Sequence, residues 1–563
     1  MGISMKDIYA PSTIPADFLV PPDSQPDYSD YPVPEFEEDW NVGSRLSDAH
    51  VRAGRGDLVA AINGETGRHF SFAEMATEST RLATGLLDLG LRSGDRVGYQ
   101  GTNDPETLIV MQAIWKAGGV TVPIPAYSKD ADIAHFAKDT GARFLFAHAH
   151  ARPLGEIQAA ARHAGIEEVF GFGPGHEAGP PRSWQALKRD AKIPLPTTDP
   201  DQPAILWHTG GTTGRPKGCY HTHRRFLLAG HSFGRSNAVA PGQRWAATTP
   251  IGHALGIIHN TIYSMLNGAT VVLMEHFSDP HVVLKAVADH RITTLTGLMG
   301  TWAKLADVVR EDEPRGLVDL SSLVRCFAMW QSASAADVFD FWKNRGIELF
   351  NNFGSTSFAN WILVPAPGEP TPRASLGRAA QGYRVEAVKV ENGKVHLLPA
   401  GEIGQLAVKG PSGLTYWNLP DLQARDVVEG WTLSDDLIRF DDAGNAHYLG
   451  RTDYMISTSG YKVAPGEVEE ALSRHPAVRE VAVVPAPCPI RLEKIVAYIA
   501  LNPGIAPSDA LKEELKRLVK DQLIFYKAPR HVMFVEALPR DTVGKVQSKI
   551  VKAWANEQVP AEG

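Results

Sequence analysis

Cysteine is scarce, with three residues in a chain of 563. Cys219, Cys326 and Cys488 stand far apart with no CxxC spacing, which argues against a disulfide framework and a thiolate zinc site. Cys219 reads as a small buried hydrophobe rather than a nucleophile. A basic excess is also lacking. Lysine and arginine number 56 against 64 acidic residues, the formal net charge is −8, and no Lys/Arg-rich block occurs. Nucleic acid is therefore not an expected partner. No uninterrupted apolar run reaches the length of a membrane span, and no basic start leads into an apolar stretch. The expectation is a cytoplasmic protein with no membrane partner. Isolated histidines such as His276 and His290 lack HExxH or paired-ligand spacing, so no metal ligands are assigned.

The composition, 43% hydrophobic and 21% charged, is that of a globular protein, and the length calls for at least two domains. Residues 1–45 are rich in Pro, Asp and Glu and are expected to lie extended on the surface. From Ser71 onward strand-like and helix-like runs alternate. Examples are the helix Ala73–Leu89, the strand Arg96–Gln100, the helix Glu106–Ala117 and the strand Val120–Ile124. Such alternation implies parallel sheets with helices on both faces. From Tyr383 to Lys409 short alternating strands with glycine turns suggest a β-subdomain. After Gly450 a fresh α/β unit begins, with its own βαβ pattern. The fold expected is α/β: a large N-terminal domain of parallel-rich sheets and helices over 46–450 with a β-subdomain, a hinge at 451–453, and a small mobile α+β domain over 454–563.

One stretch concentrates unusual chemistry. Thr209 to Gly218 reads T-G-G-T-T-G-R-P-K-G after the apolar run Ala204, Ile205, Leu206, Trp207. Glycine lets backbone approach closely, clustered N–H groups attract anions, and three threonine hydroxyls and two cations add donors. This suits a polyphosphate, although Gly/Thr-rich clusters also occur as plain surface turns. Pro216 before Lys217 departs from a P-loop, in which G-K-[ST] opens a helix.

Downstream come Pro250-Ile251-Gly252-His253, Phe353-Gly354-Ser355-Thr356, Gly430-Trp431 running to Asp436, and Gly450-Arg451-Thr452-Asp453. Gly460-Tyr461-Lys462 follows, and Pro539-Arg540 runs to Gly544-Lys545. In this order the motifs resemble the acyl-adenylate-forming superfamily of acyl-CoA synthetases, adenylation domains and luciferases, over roughly residues 50 to 555. Gly377 to Val385 and Tyr416-Trp417 resemble the benzoate and aminobenzoate CoA ligase branch. A looser resemblance is to natural-product acyl-CoA ligases of the platensimycin and platencin type, which belong to secondary metabolism. No carrier-protein segment follows the small domain, so a stand-alone ligase is expected.

The resemblance implies a two-step reaction in which a carboxylate and ATP give an acyl-adenylate and pyrophosphate, and CoA then displaces AMP. It implies that Thr209, Thr212, Thr213 and Lys217 cradle phosphate, with Asn352, Phe353, Gly354, Ser355 and Thr356 at the nucleotide and Phe353 stacked on adenine. Asp436 would accept from the ribose hydroxyls and Arg451 would hold the ribose or phosphate side. Lys545, His253, Thr356 and Lys462 are the implied catalytic set. His253, Trp330, Gln331, Ser332 and Gly354 would line the acyl pocket. Asp453 would be the hinge of domain alternation, and Gly460, Tyr461 and Lys462 the CoA channel.

Four positions depart from the family pattern. The glutamate that holds Mg²⁺ is Ser357, and the serine of T-S-G-T-T-G is Gly210. Gln331 stands in a small-residue stretch, and Asp435 replaces a glycine beside Asp436. Asn360 is a weak substitute ligand for a hard cation. Adenylation must neutralise about four negative charges on a triphosphate, chiefly by metal and donors, whereas thioesterification holds only a monoanionic adenylate. An added carboxylate about 6 Å from phosphate costs on the order of 3 kcal/mol at an effective dielectric near 20.

The expectation is an acyl-CoA ligase for an aromatic or polycyclic acid with impaired adenylation, specialised for thioesterification. Its cofactors are AMP or acyl-adenylate and CoA, with ATP and Mg²⁺ only if adenylation is retained. Its partners are the acid or its adenylate, CoA and a separate adenylating enzyme, and an oligomer is compatible with this. The alternatives are a complete two-step ligase with drifted motifs, in which water or Asn360 completes the metal shell, and a non-catalytic nucleotide-binding pseudo-enzyme. Gly230-His231-Ser232-Phe233-Gly234 also matches a serine-hydrolase elbow, but it falls in an expected helix.

Overall fold

The computed structural model describes residues 12–28, 31, 39–126, 128–174, 182–190, 194–209, 216–312, 318–329, 336–365, 375–452, 455–458, 461–488, 492–523, 525–540 and 546–560. For 209, 329, 336, 337, 457, 461, 462, 492 and 525 only the backbone is described.

Two seven-stranded sheets form the large part of the chain. One runs Arg182–Ser183, Glu168–Phe172, Phe144–His148, Arg96–Gln100, Val120–Pro123, Pro203–Thr209, Lys217–Thr222. The other runs Leu349–Phe350, Arg325–Met329, Thr294–Leu298, Arg244–Ala247, Thr270–Leu273, Val59–Asn63, His69–Ser71. Each is parallel apart from its last strand, which pairs antiparallel. Central strands such as Phe144–His148 and Thr270–Leu273 are buried along their whole length, as expected when helices cover both faces.

Strand order reverses at Arg96–Gln100 in the first sheet and at Arg244–Ala247 in the second. Crevices beyond the carboxyl ends of strands at such reversals are where open α/β sheets take ligands. Here the two reversals are stitched together. The Asn103 amide donates to the Thr249 carbonyl at 2.9 Å and its oxygen accepts from the Ile251 amide at 2.7 Å.

A three-stranded antiparallel sheet (Phe353–Ser355, Asn360–Val364, Arg378–Ala379) and a six-stranded one built on Arg384–Glu391, Ile403–Lys409 and Trp431–Phe440 complete the large part. Residues 12–28 carry only short 3₁₀ turns, yet Ile14 and Val20 are buried against Val120, Leu206, Tyr220 and Trp417.

Beyond Arg451 a five-stranded sheet packs with the helices Pro465–Ser473, Asp509–Gln522 and Ser548–Gln558. The βαβ unit expected there is present once, where Leu492–Leu501 runs parallel to His531–Val535 across the helix Asp509–Gln522. Val478–Cys488 and Leu492–Leu501 instead pair antiparallel, because the link between them is too short for a parallel crossover.

The helix expected from His223 after the glycine loop is present as His223–Ser236. The strand Lys217–Thr222 intervenes and makes a hairpin with Pro203–Thr209. Its mix of Gly, Cys and His carries little strand signal of its own, and the pairing supplies it. Among the described residues no helix is long and apolar enough to cross a membrane.

Candidate active site

The loop expected to cradle phosphate leaves the sheet at Thr209 and rejoins it at Lys217, which face each other across the hairpin. Gly210, Thr212 and Thr213 lie outside the described residues, and only the backbone of Thr209 is described. Lys217 is half-buried at the loop's exit. His208, just before the loop, is hydrogen-bonded through Nε2 to Asp139 at 2.8 Å.

His253 caps the helix Ala254–Ile257, and its Nδ1 accepts from the Leu255 amide at 3.3 Å, which leaves the proton on Nε2. The ring is exposed at the crevice. Gly256 lets this turn close, because a Cβ there would fall 2.2 Å from the Pro250 carbonyl oxygen. The following turn, Ile258–Tyr263, is a π-helix, a form frequent at functional sites.

Asn352 is buried, and both atoms of its side-chain amide lack a hydrogen-bond partner among the described residues. An orphaned buried amide costs about 1–3 kcal/mol unless a ligand completes it. The adjoining Phe353 is buried, with its ring 6.0 Å from that of Tyr448. Gly354 turns the chain so closely that a Cβ would sit 2.2 Å from the Asn360 carbonyl oxygen. Ser355, Thr356 and Ser357 follow, half-buried, and the Thr356 carbonyl accepts from His221 Nε2 at 3.1 Å.

Asn360 is not placed to act as a substitute metal ligand. It is fully buried, its amide donates to the Ala229 carbonyl and the Tyr383 hydroxyl, and its oxygen accepts from the Trp361 amide. The strand Asn360–Val364 carries it inward, away from the turn at Ser357. The described stretch 352–360 therefore offers a divalent cation hydroxyls and no carboxylate, a poor donor set for Mg²⁺.

Asp436 is buried on the strand Trp431–Phe440, opposite Arg451. The Ser434 hydroxyl donates to one of its oxygens and the Tyr448 hydroxyl, 3.4 Å away, to the other. Burial holds the Tyr448 phenol well above its usual range, so it stays a donor. Arg451 Nη2 lies 3.0 Å from Asp435 Oδ2, while Nη1 lies 3.9 Å from Asp436 Oδ1. Asp435 is thus turned to Arg451 and half exposed. Paired in this way, Asp435 would repel a nearby phosphate by less than the roughly 3 kcal/mol expected of an unpaired carboxylate.

Trp330, Gln331, Ser332, Asp453, Gly460 and Lys545 lie outside the described residues. Tyr461 and Lys462 lie on a strand paired with Ile456–Thr458, with their side chains undescribed. Cys219 is buried and its thiol is pushed up to about 12, which suits packing and not nucleophilic chemistry. Ser232 is buried within the helix His223–Ser236 and donates to the Gln381 carbonyl, so the hydrolase elbow is ruled out.

No local motif signals the grouping of His148, His150 and Glu275, whose donor atoms lie within 4.8 Å of one another. His148 ends a strand of one sheet and Glu275 follows a strand of the other. The Glu275 carboxylate is engaged by His150 at 2.9 Å and by the Thr102 hydroxyl, which also contacts His148 at 3.1 Å. His148 Nδ1, His150 and the Glu275 carboxylate are engaged in these contacts, which tie the two sheets at their carboxyl edges, while the buried His148 Nε2 has no partner among the described residues.

Comparison with known proteins fits this geometry. A model of the family described as AMP-binding enzyme matches residues 48–417, and one for the AMP-binding enzyme C-terminal domain matches 467–545. A benzoate–CoA ligase of Thauera aromatica is 28% identical over 92% of this chain and 96% of its own length. A sulfoacetate–CoA ligase of Cupriavidus necator is 30% identical over 87% and 94%. The crystal structure of the anthranilate CoA ligase AuaEII in complex with anthranoyl-AMP superposes with a TM-score of 0.79 at 25% identity, covering 94% of this chain and 99% of that one.

Proposed function

The chain belongs to the AMP-binding enzyme family, and we propose that it is an acyl-CoA ligase specialised for the second half of the family reaction, taking an acyl-adenylate and CoA to a thioester and AMP. The acyl group proposed is aromatic or polycyclic. The CoA sulfur attacks the acyl carbonyl, the bond from that carbon to the phosphate oxygen breaks, and AMP departs with the electron pair as an anion. The thiol proton leaves to solvent.

In this reading Asn352 and Phe353 receive adenine, and Asp436 takes the ribose hydroxyls. Thr209, Thr212, Thr213 and Lys217 hold the remaining phosphate, with Arg451 beside the ribose. Gly354, Ser355 and Thr356 form the wall against which the mixed anhydride lies. His253, Trp330, Gln331 and Ser332 line the acyl pocket. The small domain, 454–563, turns about 451–453 with Asp453 as pivot, and Gly460, Tyr461 and Lys462 guide the thiol. Lys545 serves adenylation, beside the carboxylate, where that step is retained.

The observation that carries the half-reaction reading is the donor set at Ser357. No carboxylate lies in the described turn, and Asn360 is committed elsewhere. No step is assigned to a metal ion. The complete two-step ligase is the second reading, favoured by the retention of Lys217 and Lys545.

Two reactions separate them. In one, aromatic acid, ATP and Mg²⁺ are supplied and pyrophosphate is followed. In the other, synthetic benzoyl-adenylate and CoA are supplied and thioester is followed. The expected result is thioester in the second and little pyrophosphate in the first. Robust pyrophosphate release would falsify the half-reaction reading, and absence of thioester in the second would mark a non-catalytic nucleotide binder.

A further inference from the structure

The glycine loop is tied at both ends to a single helix. His208 immediately precedes it, and His208 Nε2 lies 2.8 Å from Asp139 Oδ2. Pro216 closes it, and its carbonyl accepts from His135 Nε2 at 3.1 Å. His135 and Asp139 are four residues apart on the helix Asp130–Thr140, so they share one face. That helix is a firm support. Ile133, Phe136 and Ala137 are buried with Ile124, Leu145 and Ile157. Trp417 donates from Nε1 to the Asp139 carbonyl at 3.1 Å and from its backbone to the Gly218 carbonyl at 2.9 Å, locking helix and hairpin together.

The His208 ring is almost wholly enclosed, 4.6 Å from that of Phe136, and its Nδ1 has no partner among the described residues. A proton on Nδ1 would be a buried donor without an acceptor, so the ring carries its proton on Nε2 and gives it to Asp139. His135 in turn must donate, because a carbonyl can only accept.

We propose that His135 and Asp139 are positioning residues that clamp the neck of the glycine loop for nucleotide binding, an inference that rests on the reading of this loop as the phosphate cradle. Glycine-rich backbone loses more conformational freedom on ordering than any other. The two bonds hold the loop's described ends, at His208 and Pro216, in one place, so less positional freedom at those ends is left to lose on binding. In a loop where Gly210 stands in place of a hydroxyl donor, that saving carries more of the affinity.

The test is calorimetric titration of the full chain with AMP, together with the KM for CoA in the thioester assay. His135→Ala and Asp139→Ala are each expected to weaken AMP by about tenfold, the size of one lost hydrogen bond, with the CoA KM unchanged. His135→Gln keeps a donor and Asp139→Asn keeps an acceptor, and both should stay within about threefold of the parent chain. Alanine variants that bind AMP as the parent does, or conservative variants as weak as alanine, overturn the clamp. Should Asp139→Ala fail to fold, the half-buried His135 pair decides the matter alone. Pyrophosphate release by the parent chain would overturn the half-reaction reading and leave the clamp standing, whereas unchanged AMP affinity in the variants would do the reverse.

Discussion

Asp435 and Arg451 form an ion pair, Oδ2 to Nη2 at 3.0 Å, while Asp436 on the next residue stands 3.9 Å from the same guanidinium. One arginine therefore faces two carboxylates. Under the nucleotide-binding role proposed for Arg451, Asp435 is a competitor for that cation rather than a free negative charge. The pair is half exposed, so solvent and salt weaken it.

Replacing the competitor should strengthen nucleotide binding. Asp435→Gly is expected to tighten AMP by roughly threefold at low ionic strength, with the gain shrinking as salt is added. AMP titrations at two salt concentrations check this, and a salt-independent gain would point away from Arg451.

Restoring the missing donors should restore the first half-reaction. Ser357→Glu with Gly210→Ser, and with Gln331→Gly added, is expected to raise Mg²⁺-dependent pyrophosphate release by at least about tenfold, with thioester still formed from supplied adenylate. If the combined variant still makes no adenylate, these positions do not decide the step.

Asn352 offers a stability and binding trade-off. Its buried amide has no partner among the described residues, so Asn352→Ala should stabilise the chain without ligand by about 1 kcal/mol. The same change should weaken AMP by about tenfold and blunt discrimination between AMP and inosine monophosphate. Thermal melting and competition titration read the two effects independently.

Acid should unfold this protein steeply. Burial is the main cause that lowers His50 and His148 to about 4 and His221, His223 and His259 to about 3, from an ordinary 6.5. A lowered folded value means the unfolded chain binds the proton more readily. The stability is then present above pH 6.5 and is lost as pH falls toward 4, at up to about 1.4 kcal/mol per pH unit for each such group. Melting temperatures should be level from pH 8 to 7 and drop sharply below 6.5. A flat profile down to pH 5 would show that these rings are not buried in neutral form.

The chain by itself determined the alternation that makes parallel sheets. In runs such as Phe144–His148 and Thr270–Leu273 the apolar pattern is dictated by burial on both faces. It also determined the ordered motifs, because phosphate, ribose and adenine demand particular donors on short contiguous segments. Tertiary structure decided what those segments meet. That Lys217–Thr222 is a strand follows from pairing with Pro203–Thr209, a contact its own composition does not encode. That Asn360 is spent on Ala229 and Tyr383, that Arg451 is shared, and that His135 and Asp139 reach the loop are contacts across 15 to 131 residues of sequence. Such contacts have no local period or spacing. They exist because strand pairing and helix packing bring distant parts of the chain together, as in the antiparallel pairing that sets Arg451 opposite Asp436.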